Sequence, residues 1–175
     1  MSEVVIRQAS EDDLEVLVQL YQATQRWLAS KGTDQWAANT EDKTRNRLAR
    51  SIERRECNIA DIGGRTVGMI TVDEYADPEF WIADDEPGRA LYVHRMVVDR
   101  SASGRNVGAR LLEWADGLAE ASGKEWLRLD AWSTNAPLHA YYRRQGFSPV
   151  RVLNLSHRGS GALFQRTVGQ GRAAT

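Results

Sequence analysis

Residues 91–98 read LYVHRMVV, residues 107–121 read VGARLLEWADGLAEA, and residues 126–132 read WLRLDAW. The outer two are β-type runs. The middle one is apolar at helical spacing, with Leu111, Ala115 and Leu118 facing inward and Gly123 as its stop. A strand, a helix and a second strand on short connections fold as a parallel crossover, since parallel strands need a helix-length link. That unit constrains the fold more than any other feature of the chain.

The flanking segments read as β, α, α, β, β before it and α, β, β after it. Val4 to Ala9 is a first strand, and Ser10 caps a helix that runs to Ser30 and stops at Gly32, with acids at 11 to 13 on the favourable end of its dipole. Its apolar face carries Leu14, Leu17, Val18, Tyr21 and Leu28. Residues 41 to 56 form a second, basic helix, and Cys57–Asp61 and Thr66–Glu74 are strands joined at Gly63-Gly64. Residues 76–90, ADPEFWIADDEPGRA, carry five acids against one arginine and read as a long ordered loop. Pro137 to Gln145 is a helix capped by Asn135 and stopped by Gly146, followed by strands near 147–155 and 162–168. The resulting class is α/β, a mixed and mostly antiparallel sheet with a central parallel crossover and helices on both faces. One domain is expected over 1–168, with a flexible tail over 169–175.

The 175 residues suffice for one sizeable core. A net charge of −1 argues against nucleic-acid and anionic-membrane partners, although six basic residues against four acids in 41–56 leave a nucleic-acid-directed activity as a distant alternative. One cysteine excludes an internal disulfide and, with three scattered histidines, points to no metal site. No apolar run reaches a membrane span and the start lacks a signal-peptide layout, so the cytoplasm is expected.

The turn SGRNVG, between a strand and a helix start, is placed as an anion-binding connection would be, because the first N–H groups of a helix point outward. The stretch LYVHRMVVDRSASGRNVGARLLEWA resembles the acyl-CoA-binding motif of the GNAT superfamily of N-acyltransferases. NAPLHAYYRRQGF resembles that superfamily's next helix, with Asn135, Leu138, Tyr142, Gly146 and Phe147 in register. The family's Arg/Gln-x-x-Gly-x-Gly/Ala frame reads here Ser103-Gly104-Arg105-Asn106-Val107-Gly108, so Ser103 replaces the Arg/Gln and Asn106 the first glycine. Asn tolerates a left-handed backbone, and Gly108 permits close approach at the helix start.

The resemblance implies an N-acetyltransferase that moves an acetyl group from acetyl-CoA to a primary amine of a small molecule or peptide, directly in a ternary complex. The implied cofactor contacts are Met96, Val97 and Val98 on the strand, Ser103 to Ala109 (Gly104, Arg105, Asn106, Val107 and Gly108 between them), and Asn135 and Tyr142. Met96 N–H is expected to polarise the thioester carbonyl, Val98 to pair with pantetheine, and Tyr142 to protonate the leaving thiolate. His94 is a base candidate, two residues before Met96 and on the same strand face by alternation; Asp130 with a water chain is another. Tyr92 occupies the frame where some members carry a first histidine or a glutamate. Tyr142 and His94 are also readable as core side chains, and Asn135 as a helix cap alone. Trp36 and Trp81 are the acceptor-side candidates, suited to a cationic or aromatic amine. Homodimers are common in the family. A non-catalytic acyl-CoA-binding sensor of the same fold is the rival reading.

Overall fold

The computed structural model describes residues 3–169, so the expected tail lies, from residue 170 onward, outside the described residues. Seven strands follow the order β1-β2-β3-β4-β5-β7-β6: β1 Val4–Gln8, β2 Cys57–Ile62, β3 Arg65–Asp73, β4 Ala90–Val98, β5 Trp126–Trp132, β6 Ser148–Val152 and β7 Ser160–Thr167. The helices are α1 Leu14–Ser30, α2 Glu41–Glu53, α3 Val107–Ala121 and α4 Ala136–Arg144. β4 and β5 pair in parallel, whereas β1–β2, β2–β3, β5–β7 and β6–β7 are antiparallel. The sheet is therefore mixed and carries the expected parallel crossover through α3. Among the described residues no helix is long and apolar enough to cross a membrane.

The described residues form two compact units, one of residues 3–72 and 95–111, the other of 73–94 and 112–169. In the first, Leu17, Val18, Leu20 and Tyr21 of α1 and Leu48 and Ile52 of α2 pack with Ile59, Met69 and Val97. Each such buried side chain contributes roughly 1.5–3 kcal/mol. The neighbouring β3 residue, Gly68, faces the other way: a Cβ there would lie 3.0 Å from Val107 and 3.2 Å from Leu111. Successive strand residues point to opposite faces, so α1 and α2 cover one face of β3 and the first turn of α3 the other. The absent side chain at Gly68 is what lets that turn sit so close. The N-terminus of α1 is anchored by Asp13, which accepts from the Ser10 amide at 2.7 Å and from Arg7 at 2.8 Å. The Arg7 guanidinium holds the Asp13 carboxyl down to about 2, so this anchor stays charged until strongly acid pH.

The second unit gathers Phe80, Trp81, Ala90, Tyr92 and Leu163 into a core of its own. The 76–90 segment is the ordered loop expected, with 3-10 turns at Ala83–Asp85 and Pro87–Arg89. α3 departs from expectation. Leu118 is only half-buried, and the buried stripe runs Leu111, Leu112, Ala115, Asp116 and Ala119. A carboxylate can occupy that stripe because Arg166, itself buried, meets it at 3.3 Å.

Candidate active site

In the first unit β4 runs through Met96, Val97 and Val98 into a 3-10 turn at Arg100–Ala102, and α3 starts at Val107. The Asp99 side chain accepts from Ser101 N–H at 2.8 Å, and Asp99 N–H donates to Val67 O at 2.8 Å, fixing the turn to β3. Arg65 adds a bond to the Ser101 hydroxyl, and the Arg100 guanidinium lies 4.2 Å over the Trp27 ring. Gly104 has φ 81° and Asn106 φ 56°, both left-handed. Asn106 thus holds, at modest cost, the conformation that glycine supplies in the family frame. The first α3 hydrogen bond of this turn is Arg110 N–H to Asn106 O at 3.0 Å, so the amides of Val107, Gly108 and Ala109 precede the helix ladder. Ser103, Gly104, Arg105 and Asn106 are exposed, Ala109 is half-exposed, and Val107 and Gly108 are buried. An exposed turn opening onto a helix N-terminus suits a polyanion, and the backbone donors suit a pyrophosphate.

Arg95, immediately before Met96, has φ 46° in the middle of β4. The parallel ladder joins Ala90–Val93 to Trp126–Leu129 and ends there. A left-handed residue interrupts strand alternation, so parity no longer assigns His94 and Met96 to one face. The expectation that they share it no longer follows from alternation. Val97 is 2% exposed and belongs to the core cluster, which leaves only its backbone for a ligand, whereas Met96 and Val98 are half-buried. Trp36, also of this unit, has φ 64° and stacks on Tyr21 at 4.6 Å. The cleft of about 560 Å³ beside it is lined by Gln22, Gln25, Arg26, Thr33, Gln35 and Glu41 rather than by the indole.

In the second unit Asn135 caps α4, accepting from Leu138 N–H at 3.1 Å. Tyr142 is 7% exposed among Tyr141, Phe147 and Phe164, with ring centroids 5.5, 5.7 and 6.0 Å away. Burial, with Tyr141 and Asp130 nearby, pushes its phenol well above the ordinary value, so it stays protonated. His94 Nε2 lies 3.0 Å from Asp73 Oδ1, both side chains being largely buried. Tyr92 is unsuited to a proton-transfer role: it is 1% exposed, donates its hydroxyl to Pro87 O at 3.0 Å, and receives Arg128 at 3.3 Å.

The expectation for Trp81 is corrected. Its ring is 5% exposed, and its cation-binding faces are taken by this chain's own Arg128 at 4.8 Å and Arg151 at 5.8 Å. The acids around it are likewise engaged. Asp85 pairs with Arg151 at 2.5 Å, Asp77 and Glu79 with Arg158 at 2.6 and 3.0 Å, and Glu86 with Arg89 at 2.6 Å. Arg151 and Arg158 from outside the segment and Arg89 within it pair with four of its five acids, which weakens any case for a cationic acceptor from its charge. Asp73 was not singled out from the sequence. Its only signal is that it is the acid ending the apolar run of β3, and nothing local shows that this end lies beside His94.

The model of the GNAT acetyltransferase family matches residues 17–147, and the chain belongs to that family. It is similar to an uncharacterized N-acetyltransferase, YesJ, of Bacillus subtilis, at 28% identity over 78% of this chain and 77% of that protein. A GNAT-family acetyltransferase structure from Listeria monocytogenes superimposes with TM-score 0.78 at 24% identity, covering 95% of each chain. The PaiA N-acetyltransferase of Thermoplasma acidophilum, solved in complex with coenzyme A, has TM-score 0.68 at 18% identity over 94% of this chain and 99% of that one. At those identities the two structures speak for the fold.

Proposed function

We propose that this chain transfers an acetyl group from acetyl-CoA to a primary amine of a small molecule or peptide, both bound at once. The observation that carries the reading is the 103–109 turn. Asn106 at φ 56° supplies the glycine-like bend, and the α3 amides follow it directly. The pyrophosphate is held by the backbone of Ser103 to Ala109, and pantetheine pairs along Met96, Val97 and Val98 with Asn135 contributing. Met96 N–H stabilises the oxyanion that forms when the amine attacks the thioester carbonyl. His94 accepts the amine's proton, and Tyr142 gives one to the departing sulfur. Trp36 lies on the acceptor side. The coenzyme A complex of the PaiA neighbour supports the choice of cofactor.

Isothermal titration of acetyl-CoA into the wild type and Gly108→Glu tests this reading. The substitution adds bulk and negative charge at the start of α3, and is expected to weaken binding at least tenfold while the protein stays folded. Absence of binding by the folded wild type refutes the reading. Binding without turnover over a wide amine panel makes the chain an acyl-CoA-binding module instead. For His94→Gln, kcat is expected to fall at least tenfold with unchanged acetyl-CoA affinity, since a carboxamide cannot take the amine's proton. An unchanged kcat would assign the base elsewhere, with Asp130 next in line.

A further inference from the structure

We propose that Asp73 is the positioning residue of the acetyl-transfer site: it binds His94 Nε2–H, so that Nδ1 is the atom that accepts the amine's proton. This rests on the acetyltransferase reading above. An ionised carboxylate has lone pairs only, so the imidazole nitrogen 3.0 Å from Asp73 Oδ1 must be the protonated one. In a neutral imidazole the other nitrogen then carries the free pair. The carboxylate is held in turn, because Oδ1 also receives the Tyr75 backbone N–H at 2.9 Å. The adjacent acid does not compete: Glu74 is paired with Lys124 at 3.2 Å. Tyr92, two residues earlier on β4, has its hydroxyl committed to Pro87 and Arg128, so a second β4 side chain does not fill this role.

The proton balance closes. The acceptor arrives as an ammonium ion and loses one proton to Nδ1, which passes it to solvent. The free amine forms the C–N bond at the thioester carbonyl. As the tetrahedral adduct collapses, the C–S bond breaks and sulfur takes a proton from Tyr142, which recovers one as the nitrogen loses its second. The products are the amide, the CoA thiol and one released proton.

Two measurements decide the proposal. The first is the imidazole 15N spectrum of histidine-labelled, folded wild type, with His94 assigned by its loss in His94→Gln. A protonated Nε2 with a bare Nδ1 is expected, and the opposite tautomer overturns the proposal whatever the enzyme's activity. The second is steady-state kinetics of Asp73→Asn. The expected result is at least a tenfold lower kcat with unchanged acetyl-CoA affinity, partly recovered in Asp73→Glu, which keeps the carboxylate. A wild-type kcat in Asp73→Asn overturns it. If the wild type binds acetyl-CoA but turns over no amine, the enzymatic reading fails and the proton-acceptor role fails with it; the tautomer would then identify a structural pair.

Discussion

Tyr142→Phe is expected to lower kcat by about a hundredfold while leaving acetyl-CoA affinity within a factor of two. The ring would keep its contacts with Tyr141, Phe147 and Phe164, because only the hydroxyl is removed. General acids contribute roughly 10²–10⁴ in rate, and a thiol of pKa about 8.5 leaves readily, which puts the loss at the low end. A hundredfold corresponds to about 2.7 kcal/mol of transition-state stabilisation. The direction of the pKa shift fits the role. Burial raises the phenol above its usual value, so the acid is still loaded at neutral and mildly alkaline pH. The same shift has a stability consequence of defined sign. Below the unfolded phenol's pKa, near 10, the stabilisation is fully present. It is lost as pH rises from there, because the unfolded chain ionises freely and the buried ring does not. Tyr142→Phe removes that particular loss. Equal kcat in the two proteins at all pH values would take Tyr142 out of the mechanism.

Asp116→Ala is expected to destabilise the fold by about 3–5 kcal/mol. Asp116 and Arg166 have side-chain exposures of 1% and 2%. Burial disfavours the charged guanidinium, moving Arg166 below its usual pKa. Removing the carboxylate leaves that cation in the interior against the carbonyls of Leu112 and Gln145 and the face of Phe147. It also strips the Gly169 amide of its acceptor at 2.8 Å. Breaking one side of a buried pair carries such penalties because the partner's desolvation is no longer offset. At about 2–4 °C per kcal/mol for a chain of this size, the melting temperature should drop by about 10 °C. Joint replacement by apolar residues, Asp116→Leu with Arg166→Met, should recover much of the loss. A drop under about 1 kcal/mol in Asp116→Ala would mean that the pair is effectively solvated.

Both predictions depend on placements of different origin. Tyr142 was legible because Asn135, Leu138, Tyr142, Gly146 and Phe147 keep a fixed spacing within one helix and its two ends. Asn106 was legible for a similar reason, as the left-handed turn it makes is a property of a few consecutive residues. Element order, the parallel crossover and the Asn135 cap are likewise local, set by periodicity and by hydrogen bonds spanning three or four positions. Asp116 was not singled out from the sequence, since its partner is 50 positions away. Trp81 read as an acceptor-side ring in a loop with five acids, and only folding showed Arg128 and Arg151 against the ring and Arg151 and Arg158 paired with acids of the loop. The left-handed Arg95 broke an alternation that the pattern LYVHRMVV presents as regular. Asp73, at the end of β3, and His94, in the middle of β4, meet across 21 positions of sequence. The sequence by itself determined the elements, their order and the residues whose position is set by near neighbours along the chain. The tertiary structure alone decided which charges neutralise one another and which histidine nitrogen is held, because those depend on distances between residues that strand pairing and packing bring together.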